Sequence, residues 1–267
     1  MDPFSLPTLL MSGLLLASVG LWVATALRWK RGRNWFPAVD AADVRPHWIA
    51  IGLGTLQVAL SLNAAFVMRT HDPKQIGLGD VQSACLMQAF MWLALATPLL
   101  ADPDSNSTRL GFRRSDWVGQ VRDGAIGFLL FFWPVMALSK LTETWRPAGS
   151  QHPFLRLLAS DPSLETLAWI VFTAAVVAPL VEELLYRVIL QTSIETILPR
   201  RVALVVTAVL FAAVHRFPDG IALIPLALVL GAMFQRCRSY LSVVVAHALF
   251  NGTNLFLVWL SVPIPQP

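Results

Sequence analysis

The segment APLVEELLYRVIL places Glu182, Glu183 and Arg187 inside a stretch that is otherwise apolar enough to span a membrane. Each ionisable side chain near the centre of a bilayer costs about 2.5–3.5 kcal/mol on insertion scales. On an α-helix, Glu183 and Arg187 share a face in the favoured order for an ion pair, whereas Glu182 points about 100° away. A carboxylate in a low-dielectric cleft without its own cation can take up a proton near neutral pH, as a general base must. The spacing therefore makes Glu182 the candidate base.

Pro179 lies just before the two glutamates. Because proline has no amide N–H, it removes one hydrogen bond from a helix and can kink the chain. We expect this proline to leave a backbone carbonyl without its helical donor close to the carboxylates.

Two later apolar segments carry polar side chains at helical spacing. The segment LFAAVHRF places Phe211 and His215 one turn apart, and SVVVAHALFNGTNLF does the same for His247 and Asn251. Lipid cannot satisfy such groups, so they must face protein or a wet cavity. Interhelical hydrogen bonding alone would also explain them. Taken together with Glu182, they form a set suited to hydrolysis: a water between Glu182 and His215 could attack a carbonyl while His247 and Asn251 donate to the oxyanion.

The composition requires a membrane protein. The chain has 267 residues, of which 56% are hydrophobic and 13% charged, and its mean hydropathy is +0.62. Several segments lack charges for the roughly 20 residues that cross a bilayer, and alternating strand patterns of the β-barrel type are absent. The isoelectric point near 9.6 does not indicate nucleic-acid binding, because basic residues in membrane proteins mark cytoplasmic loops and anionic head groups. No nucleic-acid-binding motif is present.

The apolar runs predict an all-α fold, a polytopic transmembrane bundle of about eight helices with a membrane-embedded polar active-site cavity. We interpret residues 1–267 as a single integral membrane domain, in which residues 1–141 form N-terminal helices of uncertain role and residues 164–262 form the helices that carry the polar motifs. The predicted helices are 6–27, 47–68, 81–101, 118–139, 164–198, 201–216, 219–236 and 240–262.

The ordered segments EELLYR, FAAVH and HALFN resemble the three motifs of the CAAX protease and bacteriocin-processing family of intramembrane endopeptidases. Those motifs are Glu-Glu-x-x-x-Arg, Phe-x-x-x-His and His-x-x-x-Asn. The resemblance covers Pro179 to Asn251, the last third of the chain. One departure is Arg238, which stands where the family often has a small turn residue and which puts the local turn in question.

The resemblance implies an intramembrane protease that hydrolyses a peptide bond with a glutamate-activated water, in CAAX-type or other processing of membrane-associated proteins. The substrate would be a peptide or a membrane-anchored protein, and the lipid bilayer would be the other partner. By this resemblance, Glu182 would be the general base, supported by Glu183, Arg187 and Phe211. His215 would bind the attacking water, and His247 and Asn251 would form the oxyanion site.

Metal dependence separates two versions of this mechanism. Family members are commonly described as metalloproteases, and Glu182, His215 and His247 could supply the three ligands of an open Zn²⁺ site. The chain has no His-Glu-x-x-His pair, however, and Glu182 cannot easily be both ligand and base. We favour water activation without a metal cofactor, with zinc or another divalent metal as the alternative.

Two other classes of function fit a polar cluster in a membrane. A non-catalytic scaffold, bacteriocin-immunity protein or secretion helper would keep the fold and use the cluster only for packing. A proton-coupled transporter would use carboxylates and histidines as a relay, but it predicts repeated halves and paired broken helices, which the sequence lacks. We expect a multi-pass protein of the bacterial inner membrane. The sequence predicts no oligomeric state.

Helix geometry sets a test for a shared site. Measured by helix rise from one face of the bundle, Glu182 would lie about 24 Å deep, His215 about 21 Å and His247 only about 10 Å. Tilted helices, or a 236–240 turn that dips into the membrane, would reconcile these depths. A separation above about 10 Å between Glu182 and His247 would contradict the shared site.

Overall fold

The computed structural model describes residues 5–39, 45–68, 76–101, 110–112, 116–146, 153–215 and 217–261. Within these ranges the chain forms helices joined by turns and contains no β-strand. In chain order, the α-helices are α1 (Leu6–Lys30), α2 (Trp48–Met68), α3 (Leu78–Ala101), α4 (Trp117–Leu141), α5 (Pro153–Ser160), α6 (Leu164–Glu195), α7 (Arg200–Val214), α8 (Asp219–Ala222), α9 (Ile224–Cys237) and α10 (Tyr240–Ser261).

In the described part of the chain, six helices are long and apolar enough to cross a membrane: α1 to α4, α6 and α10. The shorter α7 and α9 pack among them. The predicted all-α, polytopic bundle is therefore confirmed. All eight predicted segments form helix, with ends that differ by a few residues.

Two features of the helix pattern differ from the prediction. The structure adds α5, whose eight residues are too few for a spanning segment and which buries Leu157 and Leu158. It also divides the predicted 219–236 helix at Leu223 into α8 and α9. Pro225 fits this break, because it offers no amide N–H to the preceding turn and is tolerated in the first turn of the helix that follows.

The main hydrophobic core takes residues from both halves of the chain, including Leu95, Phe131, Leu184, Phe211 and Phe250. Helices α4 and α10 approach each other closely in this core. A Cβ at Gly124 would lie 2.7 Å from a Val245 methyl and 2.8 Å from the Ser242 carbonyl oxygen, so only glycine allows this approach. Helix α4 is thus part of the bundle that supports the polar motifs.

Helix α6 changes its hydrogen-bonding pattern along its length. It contains two π-helical segments, in which each amide bonds the carbonyl five residues back. The α and π segments alternate as Leu164–Val171 (α), Phe172–Val177 (π), Ala178–Glu183 (α), Leu184–Gln191 (π) and Thr192–Glu195 (α). The two glutamates therefore end a short α segment between two π segments, a placement common at functional sites.

Candidate active site

Pro179 creates a hydrogen-bond acceptor that α10 uses. The Ala178 amide bonds the Thr173 carbonyl in the π pattern, so the next carbonyl along, that of Ala174, faces a proline without an N–H. The Asn251 side chain fills this place, because its Nδ2 donates to the Ala174 oxygen at 2.8 Å. The carbonyl that Pro179 leaves without an amide donor therefore links α6 to α10 by a hydrogen bond.

Glu183 is the central anion of the site. Its side chain is completely buried, and its Oε1 lies 2.8 Å from Nδ1 of His247. Its Oε2 lies 3.1 Å from Nε of Arg187, one turn further along α6, as the sequence spacing predicts. Glu183 therefore holds a cation from its own helix and an imidazole from α10.

Arg187 is a fully buried guanidinium with little directed hydrogen bonding. The contact with Glu183 is close but bent, so none of the three Arg187 nitrogens makes a hydrogen bond of good geometry within the described residues. The guanidinium carbon lies 5.3 Å from the centre of the Phe211 ring, on the side that a cation–π interaction requires. Arg187 therefore acts mainly as a buried positive charge beside Glu183.

Glu182 differs from Glu183 in exposure and in partners. Its side chain is 30% exposed, and its Oε2 lies 3.8 Å from Nε2 of His247, beyond hydrogen-bond distance. That oxygen makes no hydrogen bond within the described residues. Glu182 is thus the more accessible carboxylate, and it faces the second nitrogen of the imidazole that Glu183 holds by the first.

His215 ends α7 with its ring oriented by its own helix. Its Nδ1 lies 2.6 Å from the Phe211 carbonyl oxygen, and since a carbonyl only accepts, Nδ1 carries the proton. In the neutral ring, Nε2 is then a free acceptor. The Phe211 ring lies 4.6 Å from the His215 ring and 5.9 Å from the His247 ring, measured between centroids. Phe211 therefore packs against both histidines and Arg187.

The structure brings together five of the seven predicted residues: Glu182, Glu183, Arg187, Phe211 and His247. His215 joins them through its ring contact with Phe211, whereas Asn251 bonds the Ala174 carbonyl. The 3.8 Å contact between Glu182 and His247 meets the distance test set by the sequence. The turn before α10 is buried within the protein, with Arg238 and Ser239 almost inaccessible, so α10 begins inside the bundle. The π turns use more residues per turn than an α-helix and shorten α6 slightly.

The arrangement of Glu182, His215 and His247 does not form a ready metal centre. Nδ1 of His247 is held by Glu183 and its Nε2 faces Glu182 at 3.8 Å. Across the described residues, no group of three or more His, Cys, Asp or Glu side chains is placed to hold a metal ion. The choice between metal-free and zinc-dependent chemistry stays a prediction, because a carboxylate on Nδ1 is also the usual partner of a zinc-bound imidazole.

A groove of about 440 Å³ runs along a different face of α10. By helical geometry this face lies roughly opposite His247. The groove is lined mainly by apolar side chains, so it does not correspond to the polar active-site cavity, which stays a prediction. Its lining residues are Val245, Ala248, Leu249, Gly252, Thr253 and Phe256.

Two residues next to the site were not singled out from the sequence. The Tyr240 hydroxyl contacts the Leu180 carbonyl at 2.6 Å, and the Trp92 indole contacts that hydroxyl at 2.8 Å. Tyr240 shares a helix face with His247 two turns later, which is a signal the sequence contains. Trp92 carries no such signal, because it lies on α3 and its proximity depends on tertiary packing.

Comparison with known proteins gives one match. Residues 164–253 match the family model of Rce1-like type II CAAX prenyl endopeptidases. That region, about a third of the chain, contains every predicted site residue. No match was found among curated proteins or among solved structures. The match therefore supports a relationship to the CAAX protease and bacteriocin-processing family of intramembrane endopeptidases, through the region that carries the polar motifs.

Proposed function

We propose that this protein cleaves a peptide bond inside the membrane with a water that Glu182 activates. Glu182 takes a proton from the water, and the resulting hydroxide attacks the scissile carbonyl. The proton then passes from Glu182 to the leaving amine, so Glu182 ends the cycle ionised. Nε2 of His215, free to accept, receives the water's second hydrogen bond and orients its lone pair.

His247 and Asn251 supply the oxyanion site in this mechanism. With Glu183 accepting from Nδ1, an imidazolium at His247 has its other N–H available for the developing oxyanion. Asn251 uses one amide proton for Ala174 and keeps the second. Glu183 and Arg187 act behind His247: the carboxylate orients the ring, and the guanidinium balances the negative charge of two adjacent glutamates.

The observation that carries the proposal is the placement of His247 between two carboxylates of unequal environment. Glu183 is fully buried and hydrogen-bonded to the imidazole, whereas Glu182 is partly exposed and lies 3.8 Å from its other nitrogen. A purely structural cluster has no need of the second, under-bonded carboxylate. Pairs of acidic groups in contrasting environments are typical of acid–base catalysis.

The substrate class follows from the family and the surroundings. The site lies along helices that span the membrane, so the substrate is a peptide segment that reaches the bilayer, as in CAAX-type processing of lipid-anchored proteins. We propose the bacterial inner membrane as the location, as the sequence predicts.

Peptide cleavage by the purified protein tests this function. Wild type, Glu182→Gln and Glu165→Gln are assayed in lipid nanodiscs against a panel of farnesylated and unmodified membrane peptides, with and without a zinc chelator. Glu165 is an exposed glutamate at the start of the same helix and serves as the matched control. We expect Glu182→Gln to lose about 10²- to 10⁴-fold in rate, Glu165→Gln to match wild type, and the chelator to have no effect.

The outcomes separate the alternatives. Equal rates for wild type and Glu182→Gln would exclude Glu182 as the base. Loss of activity with chelator, restored by added zinc, would replace the metal-free mechanism by a metalloprotease. Wild type that cleaves no peptide, while Glu182→Gln complements a deletion strain as well as wild type does, would support the non-catalytic scaffold.

A further inference from the structure

Tyr240 connects three helices through one hydroxyl group. It is the first residue of α10 and is almost fully buried. Its hydroxyl oxygen lies 2.6 Å from the Leu180 carbonyl oxygen on α6 and 2.8 Å from the Trp92 indole nitrogen on α3. A single phenolic oxygen therefore contacts both α6 and α3 near the candidate site.

The direction of both hydrogen bonds is fixed by chemistry. An indole N–H can only donate, so the Tyr240 oxygen accepts from Trp92. A carbonyl can only accept, so the single hydroxyl proton of Tyr240 goes to Leu180. The hydrogen bond from Trp92 therefore orients the phenol, so that its hydroxyl proton is donated to the Leu180 carbonyl.

The Leu180 carbonyl lies at the point where α6 changes its hydrogen-bonding pattern. It also accepts from the Leu184 amide, and Leu184 is the first residue of the second π segment. Glu182 and Glu183 lie between that carbonyl and that amide. The bond from Tyr240 thus adds a second donor to the turn that displays both glutamates.

The other end of the connection is equally fixed. The Tyr240 amide donates to the Gly111 carbonyl at 2.9 Å, and its ring packs on Phe112 with centroids 5.2 Å apart. From this anchored residue, α10 runs two turns to His247. Tyr240 is therefore tied at its hydroxyl to the helix of the glutamates and through its backbone to the helix of the imidazole.

We propose that Tyr240, oriented by Trp92, is a positioning residue that fixes the α-to-π junction after Glu183 and so sets Glu182 against His247. The catalytic part of this inference rests on the proposed protease function. Tyr240 itself does not exchange protons with substrate, because both hydrogen bonds of its hydroxyl go to protein groups. Its removal should impair the chemical step more than substrate binding, since small misplacements of reacting groups cost up to about 10²-fold.

Three variants test the proposal in the full-length protein. Tyr240→Phe removes only the hydroxyl. Trp92→Phe removes the donor that orients it together with part of the ring, a loss that the control shares. Trp22→Phe is the matched control, because the Trp22 indole donates to the Leu130 carbonyl at 2.8 Å in a contact between α1 and α4. We expect kcat per folded molecule to fall about 10- to 100-fold in Tyr240→Phe, less in Trp92→Phe, and not in Trp22→Phe. KM should stay within about twofold in all three.

Amide hydrogen exchange supplies a readout that does not depend on activity. Loss of one hydrogen bond should speed exchange in residues 181–191 by roughly 2- to 12-fold in Tyr240→Phe, with no change there in Trp22→Phe. Tyr240→Phe with the kcat of Trp22→Phe, or with unchanged exchange in 181–191, would overturn the inference. If wild type cleaves no peptide, the proposed function fails, and the exchange data alone decide whether Tyr240 fixes the junction.

Discussion

Helix α6 carries two buried glutamate–arginine pairs that differ in how completely their charges are bonded. At its end, Glu195 pairs with Arg238 from the turn before α10. Glu195 Oε1 also accepts from Gln235 at 2.9 Å and Gln191 at 3.3 Å, and Arg238 donates to the Thr192 hydroxyl at 3.0 Å. Burial lowers the pKa of Arg238 and Glu195 opposes that shift. Of the three Arg238 side-chain nitrogens, only Nε lacks a hydrogen bond within the described residues.

The pair in the candidate site is bonded much less completely. Three Arg187 nitrogens and one oxygen each of Glu182 and Glu183 lack well-directed hydrogen bonds within the described residues. Unsatisfied buried charge is destabilising. The Glu195 pair shows how a cluster that only holds helices together can be bonded, and the contrast supports the proposal that the Glu183 cluster has a further role.

Breaking the site pair should have the largest effect on stability. Arg187→Met leaves Glu183 buried beside Glu182 without its cation, and we expect a loss of about 3–5 kcal/mol in unfolding free energy together with all cleavage. Chemical unfolding in detergent micelles measures the first, and peptide cleavage the second.

The double variant Glu183→Leu/Arg187→Met sharpens this test. Replacing a buried ion pair by apolar side chains often restores stability, so the double variant should unfold closer to wild type and still fail to cleave. Recovery of cleavage along with stability would mean that the pair serves packing alone.

Breaking the second pair should cost less and leave catalysis intact. In Arg238→Met, Glu195 keeps both glutamine donors, so we expect a loss of about 1–3 kcal/mol and a kcat within about threefold of wild type.

Arg238 has φ 41°, in the left-handed region. Arg238→Gly loses the same cation but relieves the backbone, and should be about 1 kcal/mol more stable than Arg238→Met. A large fall in kcat in both variants would remove the functional distinction between the two pairs.

The sequence predicts the members of the site better than their partners. Spacing places Glu183 beside Arg187, because that relation lies within one helix. It does not show that Glu183, rather than Glu182, hydrogen-bonds His247, because that choice depends on how α6 and α10 cross. The effect of Pro179 on a carbonyl follows from its chemistry, whereas the donor Asn251 lies 77 residues after the acceptor Ala174 and on another helix. The π segments have no sequence pattern that identifies them, yet they flank the short α segment that carries both glutamates.

The hydrogen bond between Asn251 and Ala174 should contribute less to stability than the Glu183–Arg187 ion pair does. Asn251→Ala removes the donor to a carbonyl that Pro179 leaves free, and we expect a loss of about 1–3 kcal/mol. Pro179→Ala restores an amide N–H that can reach this carbonyl in the π pattern. The two substitutions should therefore couple by about 1 kcal/mol, with Asn251→Ala costing less in the Pro179→Ala background. Simple additivity would show that Pro179 does not create the acceptor that Asn251 fills.

The smallest effect is expected where an ion pair is exposed. Arg146 pairs with Asp219, with side chains 38% and 45% exposed. Asp219→Asn should cost at most about 1 kcal/mol, and salt should abolish the difference, since the screening length falls to about 3 Å at 1 M. The neighbouring Trp145 and Phe217 rings, which stack with centroids 6.2 Å apart, remain to hold the loop that follows His215. Cleavage should match wild type; a fall in kcat at unchanged stability would instead show that this pair positions His215, and would extend the catalytic cluster to the surface.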